Sequence, residues 1–195
     1  MLPEALAAVL ARSSSVRSPI HGPDHWRAVA SVGLALAEQD GRVDRLVVVL
    51  FGLFHDALRL SDGSDPMHGP RAALLARNLN RDVLRLSEDR LALLTAACEW
   101  HTIGGLNDNP TIGACWDADR LDLRRLGIVP RPGSMSTAAG RRLAGPGIRR
   151  EPPAWEDIFA ALTAPVAGPL TRKAGAALTP GSWKPSGRPP GGCDT

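Results

Sequence analysis

The chain has five histidines, His21, His25, His55, His68 and His101, all within its first 101 residues, and His55 is followed directly by Asp56. Imidazole and carboxylate together suit a divalent metal such as Mn, Fe, Co, Ni, Zn or Mg, with positions left for water and substrate. The His-Asp pair closes the run Leu-Val-Val-Val-Leu-Phe-Gly-Leu-Phe at 46–54, which is apolar on every side. Such a run belongs in the centre of a helical bundle. Polar groups at its end would lie in a low-dielectric interior, where an unpartnered carboxylate is expensive. Adjacent helical positions point about 100° apart, close enough for both side chains to reach one ion.

Helical phase supplies further inward groups. His25 stands in line with Val29, Val32 and Leu36, so it faces the core. In the segment 111–126 the apolar stripe runs Ile112, Cys115, Trp116, Leu123 and Leu126, with Asp119 in its middle. On the same wheel Asp117 faces away by roughly 160° and Asp122 lies at the edge of the stripe. The metal set read from phase is therefore His25, His55, Asp56 and Asp119. His68 and His101 stand ready for a second ion, and His101 is in phase with Leu94 and Cys98. His21 precedes the Pro23 turn and reads as a loop or capping residue. A His-Gly-Pro tripeptide occurs twice, at His21 and at His68, and helix-start chemistry accounts for both.

The elements that must position these residues are helices. The pattern predicts them over 1–11, 23–39, 43–58, 70–78, 87–101, 111–126, 138–143 and 155–162, with a polar loop at 61–66, and nothing alternates as a strand. The fold class is all-α. A helical domain is expected over 1–164. Residues 165–195 read as a flexible tail, because the last 30 residues hold five Pro and six Gly and lack periodicity.

Charge and composition narrow the function. The net charge of +3 lies wholly in the last 30 residues, which leaves the rest neutral and without the concentrated basic field of a nucleic-acid binder. No apolar run approaches the roughly 20 residues a bilayer requires. Three cysteines without a C-x-x-C pair, and an N-terminus with Glu4 and no basic residue before its apolar stretch, predict a cytoplasmic protein. Phosphate-binding and nucleophile-elbow glycine motifs are missing from the sequence.

The order His … His-Asp … Asp resembles the HD superfamily of metal-dependent phosphohydrolases. The matching segments are HGPDHWRAV (21–29), LFGLFHDALR (50–59) and CWDADRLDL (115–123), the last close to the family's Ala-Asp-x-Leu ending, with Asp119 as its ligand. DPMHGPRAA (65–73) and TIGACWDADRLDL (111–123) resemble, more narrowly, a group of small bacterial HD-domain proteins. The resemblance covers residues 18–130. It implies a helical bundle around one or two metals and hydrolysis of a small phosphate ester, often a nucleotide. His25, His55, Asp56 and Asp119 would hold the metal, and Arg59 or Arg120 would neutralise phosphate. The sequence departs from the family after His-Asp, where many members carry a proton-handling acid and this chain has Ala57-Leu58-Arg59. Asp62 or Asp65 in the next loop is the available substitute. Two other readings stand beside the hydrolase: a non-catalytic metal-binding module, and a dinuclear-iron oxygenase that uses His68 and His101.

Overall fold

The structure is a computed structural model that describes residues 1–147 and 151–164. Among the described residues there are eight α-helices, α1 (Leu2–Leu10), α2 (Pro23–Gln39), α3 (Arg45–Phe54), α4 (His68–Leu79), α5 (Glu88–Trp100), α6 (Pro110–Asp122), α7 (Ala138–Leu143) and α8 (Trp155–Thr163), together with a π-helical turn at Asn80–Leu84 and two short 3₁₀ turns. No strand occurs among the described residues, and none of their helices is long and apolar enough to cross a membrane. The all-α expectation holds. The predicted tail, with Cys193 and the excess positive charge, lies outside the described residues.

α3 is the central element, as its sequence requires. Asp44 caps it, accepting from the N–H groups of Leu46 at 3.0 Å and Val47 at 3.1 Å, and every residue from Val47 to Phe54 is buried. α2 lies against both α3 and α6, while α4 pairs with α5. The α2–α3 contact is close because Gly52 faces Ala30: a Cβ at Gly52 would stand 2.6 Å from the Ala30 nitrogen. Trp26, Trp116, Phe51 and Phe54 are the largest fully buried side chains among the described residues.

α3 stops at Phe54, four residues short of the predicted end, and the reason lies at the other side of the chain. After α1, Ser13, Ser14 and Ser15 donate their hydroxyls to the carbonyls of Ala57 (2.8 Å), Arg59 (2.8 Å) and Asp56 (2.7 Å). The Ser14 N–H also donates to the Ala57 carbonyl at 3.1 Å, and the Asp56 carbonyl accepts from the Arg59 N–H at 3.2 Å, so the turn is held by backbone as well as hydroxyl partners. The three consecutive serines thus clamp the turn carrying His55-Asp56. α6 also ends early, at Asp122, and Leu123–Leu126 tighten into a 3₁₀ turn.

α6 corrects one expectation. Asp117 was placed on the outward face, yet it is fully buried. The segment leading into α7 covers that face, and the Asp117 carboxylate accepts from the N–H groups of Ser136 (2.7 Å) and Thr137 (2.8 Å) and from the Thr137 hydroxyl (2.7 Å). α6 therefore has two buried sides, which an apolar stripe alone could not reveal.

Candidate metal centre

The ends of α3 and α5, the starts of α2 and α4, and the last turn of α6 converge on the carboxylate of Asp56. Oδ2 faces His25 Nε2 at 3.6 Å and His55 Nε2 at 3.7 Å. Oδ1 faces His68 Nε2 at 3.2 Å and His101 Nε2 at 3.7 Å. Asp119 Oδ1 completes the first group, 3.3 Å from His25 Nε2 and 3.8 Å from His55 Nε2. His25 and Asp119, chosen by helical phase, thus meet His55 and Asp56 at one place, with His68 and His101 on the other side of Asp56.

Each imidazole is oriented through its other nitrogen. His25 Nδ1 is 2.8 Å from Asp122 Oδ2. His55 Nδ1 points at the carbonyls of Phe51 (3.1 Å) and Gly52 (3.2 Å). His101 Nδ1 is 2.7 Å from the Cys98 carbonyl, and His68 Nδ1 meets the Asp65 carbonyl. An oxygen acceptor beside Nδ1 fixes the proton there, so each neutral ring turns a lone pair inward at Nε2. The two Nε2 atoms of His25 and His55 stand 3.1 Å apart, and those of His68 and His101 stand 2.8 Å apart. Two lone pairs facing at that distance repel unless a cation, either a proton or a metal ion, joins them.

The spacing also fits a metal. Bonds of about 2.1 Å to nitrogen and oxygen place neighbouring ligand atoms about 3.0 to 3.4 Å apart. The first group spans 3.1 to 3.8 Å and the second 2.8 to 3.7 Å. Among the described residues three overlapping sets could hold an ion: His25, His55 and Asp119; Asp56, His68 and His101; and His21, His25 and Asp56. Partners that orient a ligand through its second nitrogen are the usual outer layer of such sites.

The electrostatics agree with a site built for positive charge. Burial alone would raise the Asp56 carboxyl, but His55, His101 and His21 outweigh it and hold the group well below the usual carboxylate range. Asp119 is lowered likewise against its own burial, by His25, His55 and His101. Burial also lowers His55, to about 3, and it lowers His68. In His25 burial opposes the charged form, but hydrogen bonds to Asp119 and Asp122 prevail and raise it. In His101 burial again opposes the charged form, but the nearby Asp56 and Asp119 carboxylates prevail and raise it. Each imidazole pair therefore contains one raised and one lowered member.

A cavity of about 380 Å³, open to solvent, reaches this cluster, and its walls include Asp56, His68, Asp119 and three arginines, Arg59, Arg120 and Arg125. Arg59 Nη1 stands 3.0 Å from His68 Nε2 and 3.4 Å from Asp56 Oδ1, while its other nitrogens donate to the carbonyls of Ser61 (3.1 Å) and Gly63 (2.9 Å). Arg120 donates to the carbonyls of Gly104 (2.7 Å) and Gly105 (2.6 Å). Neither Asp62 nor Asp65 lines the cavity. Asp62 accepts from the Ser18 hydroxyl. Asp65 accepts from the Leu60 N–H at 2.8 Å and pairs with Arg71. Both brace loops, and their placement gives no support to either as the acid expected after His-Asp.

Two residues at the site were not assigned there from the sequence. Asp122, read as an edge position, holds His25. His21, read as a loop residue, has Nδ1 2.7 Å from Asp56 Oδ2. The repeated His-Gly-Pro was the available signal, since the two copies bring His21 and His68 to opposite oxygens of one carboxylate.

The chain matches no family model, no curated protein and no solved structure. The helical fold and its buried His/Asp cluster, which can bind a metal ion, are compatible with the HD superfamily that the sequence motifs resemble.

Proposed function

We propose that the chain is an HD-type metal-dependent phosphohydrolase that acts on a small phosphate ester such as a nucleotide. One observation carries the reading: Asp56 turns one oxygen to His25 and His55 and the other to His68 and His101, each pair with its Nε2 atoms aimed at a common point. On this reading His25, His55 and Asp119 would hold one divalent cation and His68 and His101 a second, with Asp56 available to both. Bound there, the cations would polarise a phosphoryl oxygen and lower the pKa of a coordinated water. The remaining work falls to the chain. Asp122 and the backbone carbonyls of α3 and α5 hold the imidazoles in one tautomer. Arg59, Arg120 and Arg125 give the cavity a positive wall suited to phosphate oxygens. The small cavity, with no aromatic ring among its lining residues besides imidazole, suits a phosphate group better than a stacked base.

The test joins metal analysis to turnover. The purified full chain is expected to hold one or two transition-metal ions and to release phosphate from a member of a phosphate-ester and nucleotide panel. Asp56→Ala should lose both properties. Two irons without phosphatase activity would favour the oxygenase instead, because both sides of Asp56 carry histidines. Metal without any turnover would leave a non-catalytic module. No metal after reconstitution would end the reading.

A further inference from the structure

The loop that leads into α2 is fastened more heavily than a helix start requires. Pro23 already occupies the first turn, where its missing N–H costs nothing. Yet the Ser18 hydroxyl accepts from the N–H groups of His21 (2.8 Å) and Ile20 (3.1 Å) while donating to Asp62. The Trp26 indole donates to the His21 carbonyl at 2.7 Å, and Arg125 Nε donates to the Ile20 carbonyl at 3.0 Å. Gly22 permits this tight path, since a Cβ there would lie 2.2 Å from the Ser18 carbonyl oxygen. Ser18 and Trp26 thus fix the backbone of His21, and Ser18 and Arg125 that of its neighbour Ile20. The ring so placed has Nδ1 2.7 Å from Asp56 Oδ2, the oxygen that faces His25 and His55.

We infer that His21 is a positioning residue whose Nδ1–H donates to Asp56 Oδ2 and sets the rotation of that carboxylate, so that each oxygen faces its own pair of histidines. The inference rests on the proposed reading of the cluster as a metal site. The terminal torsion of an aspartate is broad, so a carboxylate shared between two ions needs an external restraint. A carboxylate oxygen has lone pairs for both an N–H and a cation. Outer partners of this kind are worth about 10–100-fold in metal affinity.

Titration of the metal-stripped full chain with cobalt(II), followed by visible absorption, tests it with two variants. In His21→Asn the amide nitrogen stands where imidazole Nδ1 stood; in His21→Gln the amide reaches the Nε2 position instead. His21→Gln should weaken cobalt binding about tenfold or more, and His21→Asn should recover most of that loss. Both variants should melt with the wild type in the absence of metal and reproduce its absorption bands at saturation. Equal affinity of His21→Gln and wild type would overturn the inference. So would an equal loss in both variants with a lowered metal-free melting temperature, which marks a purely structural role. Shifted bands in saturated His21→Gln would make His21 a ligand itself and also overturn it. Failure of the wild type to bind cobalt would overturn the reading of the cluster, a result separable from the others.

Discussion

The two histidine pairs on either side of Asp56 share a design and differ in charge. In both, Nδ1 is tied to an oxygen and the Nε2 atoms face each other within 3.1 Å. The His25/His55 pair has a carboxylate of its own in Asp119 and a second behind it in Asp122. The His68/His101 pair has backbone carbonyls as outer partners and the Arg59 guanidinium in contact. Anionic ligands draw a divalent cation and a neighbouring guanidinium repels it. The first side of Asp56 should therefore fill first and hold tighter, and the second should fill at higher metal concentration.

Removal of the shared carboxylate breaks the comparison altogether. Asp56→Ala should abolish both binding phases, exceeding the roughly 10–100-fold loss that an outer partner accounts for. Elemental analysis of the purified variant reads this directly, and retention of one ion would show that the sides do not share Asp56. Asp119→Asn is narrower. It should erase the tight phase in a manganese(II) titration and leave the weak phase in place, with about a tenfold or larger shift in the first step. Loss of the weak phase alone would reverse the assignment of the two sides.

How far this contrast is legible in the sequence depends on how each residue reaches the site. His25 and Asp119 arrive on regular helices, so phase against Val29, Val32 and Leu36, or against Ile112, Cys115 and Trp116, aims them correctly. His55 and Asp56 follow an apolar run that has to be central. His21 arrives on a loop whose path depends on Ser18, Trp26 and Arg125, contacts that no local period encodes. Asp117 illustrates the opposite failure, since a wheel assumes one buried face and the segment before α7 supplies a second. The serines after α1 find their partners more than 40 residues away, which no local pattern shows. Helical periodicity thus reports direction within an element, and it is silent on what a neighbouring loop brings to it.

The contribution of Arg59 sharpens the comparison. Arg59→Gln removes a charge beside the second pair while keeping a donor for the loop carbonyls. Coulomb interaction at about 4 Å is worth on the order of 1–4 kcal/mol between water and an effective dielectric of 20. Screening in the open cavity reduces it, so the weak phase should tighten by about tenfold or less, measured by calorimetric titration. A weaker second phase in Arg59→Gln would instead make Arg59 a support for His68.

The smallest effect separates protons from metal. In the metal-free chain His25 and His101 have raised pKa values and His55 and His68 lowered ones. A raised histidine contributes stability below its unfolded value of about 6.5, and that contribution is lost as pH rises through the folded value. A lowered histidine contributes above about 6.5, and that is lost as pH falls, over a window that for His55 extends to about 3. The metal-free melting temperature should therefore peak in the imidazole range, where each pair holds one proton, and decline on both sides by a few degrees, about 2–4 °C for each kcal/mol. A bound metal takes the place of those protons, so saturating manganese(II) should remove the alkaline decline and deepen the acid one. Calorimetry at pH 6.5 in buffers of different ionisation enthalpy should register proton release of about one per ion. Metal uptake without proton release would mean that the facing imidazoles carry no shared proton, and the symmetry between the two sides of Asp56 would be one of geometry alone.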